Sequence, residues 1–108
     1  FTFEEQIEAV LKVRPAAFSF VYGIPSRDIL RECARLDIVT IGTATTLDEA
    51  LALEQAGVDL IVVTGFEAGG HRVSFLQSSE DSLTGSFALI PTVAAKIKTP
   101  IIAAGGIA

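Results

Sequence analysis

At 108 residues the chain has room for one small domain built around a single core. Half of it is hydrophobic and 19% is charged, a balance that suits parallel strands covered on both faces. The net charge of -5 and the lack of any Lys/Arg cluster argue against a nucleic-acid surface.

The elements follow in chain order. Thr2 and Glu5 have capping-box spacing, and Phe3, Ile7, Val10 and Leu11 fall on one helical face, so the chain is expected to open on a helix that Pro15 ends. Residues 17–21 then read as a buried strand, and Gly23 with Pro25 as a turn. Ser26 caps a second helix, whose apolar stripe is Ile29, Leu30, Cys33 and Leu36. A strand over 38–42 follows. Thr46 and Glu49 predict another capping box, opening a helix that Gly57 terminates. The apolar run 58–63 predicts the third strand. Residues 65 to about 86 form a long Ser- and Gly-rich stretch, of a length that is usually functional or disordered. A helix around 87–97 carries Pro91 near its start, and Pro100 begins a last strand over 101–104.

One helix, then three strand–helix units, then a strand, all with short connections, imply a parallel sheet with right-handed crossovers. Four such strands leave two open edges. A closed (β/α)8 barrel takes roughly 250 residues, so residues 1–108 are expected to form about half of one, as a single partial barrel domain. A first helix with no preceding strand and a final glycine turn with no following helix are the ends expected of a fragment. No membrane span or signal peptide is predicted, since no apolar run approaches the roughly 20 residues a span requires. With Cys33 as the only cysteine no internal disulfide is expected, which is compatible with a cytoplasmic location.

The only histidine, His71, follows the third strand in Gly65-Phe66-Glu67-Ala68-Gly69-Gly70-His71-Arg72. Ligands collect where parallel strands end, and His titrates near neutral pH. It is therefore a candidate general base or hydrogen-bond donor, against the plainer alternative of a loop histidine that caps a carbonyl. Gly105-Gly106 after the last strand reads either as an anion-binding nest or as an ordinary tight turn. Glu67 and Arg72 read as solvated or paired with each other, Glu80 and Asp81 as a solvated surface pair, and Cys33 as core. Tyr22 and Gly23 end the first strand, where packing is the simpler role. His71 is expected at the C-terminal rim of the strands, on the side of Gly23, Gly42 and Gly105.

The segments 65–72, Phe87-Ala88-Leu89-Ile90-Pro91 and 100–108 together resemble the nitronate monooxygenases, formerly called 2-nitropropane dioxygenases. Residues 18–25 and 41–43 are similar to that family's intermediate strands, so the resemblance runs from end to end. It implies an FMN-dependent flavoprotein, an oxidoreductase with a (β/α)8 barrel of which this is the middle-to-late portion. His71 would be the catalytic residue, taking a proton from a neutral nitroalkane or orienting the nitronate. Flavin and O2 would complete oxidation to a carbonyl compound and nitrite. Gly69 would approach the flavin, and Gly105 and Gly106 would give backbone N–H groups to its phosphate. Thr64 stands where the family usually has a flavin-contacting glutamine, and Val73 where it has glycine. No metal, nucleic-acid or membrane partner is implied, and homo-oligomerisation stays open. The rival is a flavin-type enoyl-acyl-carrier-protein reductase; a non-catalytic half-barrel is the alternative of another class. The 108 residues by themselves are expected to bind FMN weakly and to be inactive.

Overall fold

The computed structural model describes residues 2–70, 73–78 and 84–107. Among them the elements run α1 (Phe3–Val13), β1 (Ala17–Ser19), α2 (Arg27–Arg35), β2 (Val39–Ala44), α3 (Leu47–Ala56), β3 (Leu60–Thr64), α4 (Ser86–Lys96) and β4 (Ile101–Ala104). The four strands form one sheet in the order β1-β2-β3-β4, with every neighbouring pair parallel. The strand–helix alternation of the sequence therefore becomes parallel βα units wound in one direction, as in part of a (β/α)8 barrel.

Local signals set most helix ends. The Thr2/Glu5 capping box forms in both directions, and Arg14 closes α1 in the left-handed region at φ 53°. The Ser26 hydroxyl accepts from the Ile29 amide at the start of α2, and Gly57 ends α3 at φ 87°. The second predicted capping box forms only in part. The Thr46 hydroxyl accepts from the Glu49 amide, but the Glu49 carboxylate turns elsewhere.

Several boundaries differ from expectation. β1 stops at Ser19, since Tyr22 and Gly23 turn the chain through positive φ values of 62° and 133°. It is also an edge strand with Ala17 and Ser19 exposed, rather than a buried one. β2 runs on to Ala44, so Gly42 lies inside the strand, not at its end. Pro91 is the sixth residue of α4, beyond the first turn, where its ring leaves the Phe87 carbonyl without an intrahelical amide.

The core lies between the sheet and one layer of helices. Ala44, Ile61 and Val63 from the strands meet Ala50 and Leu53 of α3 and Leu89 and Val93 of α4, with Leu30 of α2 packed against the cluster. Removing such side chains from water contributes about 1.5–3 kcal/mol each. Gly42 permits this packing: a Cβ there would stand 2.5 Å from Leu53 Cδ2, so glycine lets α3 settle onto β2. The opposite face of the sheet, with Ile41, Leu60, Val62 and Ile102, remains partly exposed.

Candidate functional site at the C-terminal rim of the strands

Parallel pairing brings the carboxyl ends of the strands to one rim, and the register sets Thr64 beside Ala104. The loop leaving β3 and the turn leaving β4 therefore start side by side. Gly65 to Ala68 form a tight turn, closed by the Ala68 amide donating to the Gly65 carbonyl at 3.2 Å. The Gly105–Gly106 turn lies directly on it. Both glycines have positive φ, 87° and 68°. A Cβ on Gly105 would fall 2.5 Å from Ala68 Cβ and 2.7 Å from Thr64 Oγ1, and one on Gly106 would fall 2.7 Å from Glu67 Cβ and 2.9 Å from its carbonyl oxygen. Backbone conformation and close approach both demand glycine here.

Thr64 ends β3 buried beneath this turn. At Gly69, by contrast, no described residue beyond its chain neighbours comes within 4 Å of where a Cβ would stand. Gly70 turns through φ 79° into His71. His71 and Arg72 lie outside the described residues, as do Glu80 and Asp81. Of the expected site residues, the fold thus brings together Thr64, Gly105 and Gly106, with Gly69 a few residues along the same loop.

Two carboxylates, Glu67 and Glu49, organise the rim in ways their sequence neighbourhoods do not announce. The Glu67 side chain accepts from the Ser86 amide at 2.9 and 3.1 Å and from the Ser86 hydroxyl at 2.8 Å. It thus places a negative charge on the first turn of α4, where the helix dipole favours one. Gly65 sits so close to this cap that a Cβ would collide with Ser86 N and Oγ. The second is Glu49, which is fully buried. One of its oxygens accepts from the Thr45 amide at 2.7 Å and the Thr45 hydroxyl at 2.5 Å. The other accepts from the amides of Phe75 at 2.5 Å and Leu76 at 3.0 Å. A buried carboxyl group is tolerated when it is this fully hydrogen-bonded. Its spacing from Thr46 marks Glu49 as a capping-box residue, but no local signal points to a loop 26 residues on.

The opposite rim carries structural ties. Asp59 accepts from the Thr40 amide at 2.8 Å, and Glu54 accepts from the amides of Lys98 and Thr99 at 2.7 and 2.8 Å. The Thr99 amide and hydroxyl, then the Lys98 amide, hold the Glu54 carboxyl below the usual carboxylate range. Cys33 is buried in α2, and that burial pushes its thiol up, away from reactivity.

A parallel sheet of βα units with glycine turns at the carboxyl ends of its strands is the arrangement of an α/β protein, as in part of a (β/α)8 barrel. The chain belongs to the nitronate monooxygenase family, which it matches over residues 1–108. It is 44% identical over 107 residues to a probable nitronate monooxygenase of Staphylococcus haemolyticus and 43% identical over 104 residues to one of Bacillus subtilis. These alignments take in 97% and 96% of this chain but 30% of each relative, so the chain spans about a third of their length. A nitroalkane oxidase from Streptomyces ansochromogenes superposes with a TM-score of 0.91 at 36% identity, over 97% of this chain and 31% of that one. FabK from Thermotoga maritima superposes at 0.79 with 26% identity, over 97% and 30%.

Proposed function

We propose that the chain contributes the flavin rim of an FMN-dependent nitronate monooxygenase acting on a nitroalkane or its nitronate with O2, in the cytoplasm. The supporting observation is the meeting of the Gly65–Ala68 loop with the Gly105–Gly106 turn, in a geometry only glycine permits. The amides of Gly105 and Gly106 would receive the FMN phosphate, Gly69 would let the isoalloxazine ring approach, and Thr64 would line the same wall. When bound, the flavin supplies the one-electron chemistry that O2 completes to give carbonyl compound and nitrite. His71, two residues past Gly69, is assigned as the general base that takes the α-proton of a neutral nitroalkane.

The test uses the full-length protein. Expected are a flavin absorbance spectrum, O2 consumption and nitrite release with propyl nitronate. Oxidation of NADPH by an enoyl thioester, without nitronate turnover, would favour the reductase alternative. His71→Asn should lower turnover of the neutral nitroalkane by about 10²–10⁴-fold while pre-ionised nitronate is spared. Flavin content should hold. Equal turnover of the neutral substrate would refute the general-base role.

A further inference from the structure

We propose that Glu67 is a positioning residue that couples the Gly105–Gly106 turn to the loop carrying Gly69 and His71, an inference that rests on the flavin reading above. Three contacts meet at this one residue. Its carboxylate is held in a forked bond on the Ser86 amide at the start of α4, with the Ser86 hydroxyl adding a third contact. Its Cβ and carbonyl oxygen lie where a side chain on Gly106 would stand. Its backbone lies in the tight turn that leads to Gly69, and the Phe66 amide adds a bond to the Thr84 carbonyl at 3.0 Å. The start of α4, the glycine turn and the entrance to the histidine loop are therefore one mechanical unit with Glu67 at its centre. Movement of the glycine turn toward the loop would press on Glu67, and movement of Glu67 would break its bonds to Ser86 at the start of α4. A ligand phosphate seated on the turn would thereby fix the loop that presents His71 to substrate.

The coupling is geometric and distinct from the favourable charge at the α4 N-terminus, so an uncharged acceptor should preserve it. Glu67→Gln keeps an oxygen for the Ser86 amide, whereas Glu67→Ala removes it; the site is exposed, so both variants should fold. In the flavin-free full-length protein, the amide resonances of Gly105 and Gly106 should shift in Glu67→Ala and stay near wild type in Glu67→Gln. The FMN dissociation constant should rise about tenfold in Glu67→Ala, and kcat for a neutral nitroalkane should fall by a similar factor, as when supporting contacts around a site are removed. Glu67→Gln should remain within about threefold on both measures.

If only the Ser86 resonance moves, Glu67 is a helix cap and the proposal falls. Damage by Glu67→Gln equal to that by Glu67→Ala would show that charge matters, and would overturn it too. A wild-type protein that binds FMN but oxidises no nitronate would sink the reaction, leaving the coupling to the resonances and the dissociation constants. Should no flavin bind, the resonances alone decide it.

Discussion

Gly105 and Gly57 form a natural pair of experiments, because both sit at φ 87° in different surroundings. Around a Cβ on Gly57 there is nothing within 4 Å; around one on Gly105 stand Ala68 Cβ at 2.5 Å, Thr64 Oγ1 at 2.7 Å and Ala68 Cα at 3.0 Å. Alanine in the left-handed region costs about 1–2 kcal/mol, offset in part by about 0.4–1 kcal/mol from the stiffer unfolded chain. Gly57→Ala should therefore destabilise by about 1 kcal/mol. Gly105→Ala carries the same backbone cost plus about 1–3 kcal/mol for forcing a methyl group into a filled space, about 2–4 kcal/mol together. Neither Ala68 nor Thr64 can rotate out of the way, since one contact is a Cβ and a Cα and the other a buried hydroxyl at a strand end. The strain should appear instead as displacement of the 65–68 turn. Urea unfolding of the two full-length variants measures the energies, and FMN titration reads the displacement. Gly105→Ala should weaken FMN well beyond any effect of Gly57→Ala. Equal destabilisation by the two variants, with unchanged FMN affinity, would refute the packing of the β4 turn on the β3 loop.

Glu49→Gln should destabilise the protein by about 1–3 kcal/mol, because an amide nitrogen must face either the Thr45 or the Phe75 and Leu76 donors and leave N–H groups that now bond to Glu49 unpaired. Limited proteolysis near residues 73–78 should accelerate in that variant, and an unchanged cleavage rate would show that Glu49 does not hold the loop. Glu54 has a folded pKa below its ordinary 4.5, so its contribution to stability is fully present above that value. It is lost as pH falls through the depressed folded pKa. The Tm of wild type should therefore exceed that of Glu54→Gln at pH 7, with the gap closing toward pH 3; a gap that widens on acidification would contradict the assignment. Cys33, buried with its thiol pushed up, should react with a disulfide reagent only as fast as the protein unfolds.

The alternation of strands and helices was legible in the chain because each signal is local. Thr2 and Glu5 lie three residues apart, Ser26 caps an amide three residues on, and Gly57 takes a backbone conformation other residues avoid. A helix between each pair of successive strands then leaves little choice but parallel pairing. The glycines after β3 and β4 were equally legible as turns. Their meeting was not, because it depends on the register that sets Thr64 beside Ala104 across 40 residues of chain. The same holds for the carboxylates. Glu67 reads in sequence as solvated or paired with Arg72, with nothing to show that it also caps a helix 19 residues away; Glu49 has the spacing of an ordinary capping box, yet binds the Phe75 and Leu76 amides. Gly42 looks like a strand terminus until Leu53 is packed over it. Periodicity and capping chemistry act over one helical turn and so determine the elements. Which buried carboxylate meets which amide, and which glycine must stay bare, is decided only when the sheet closes the distance between remote segments.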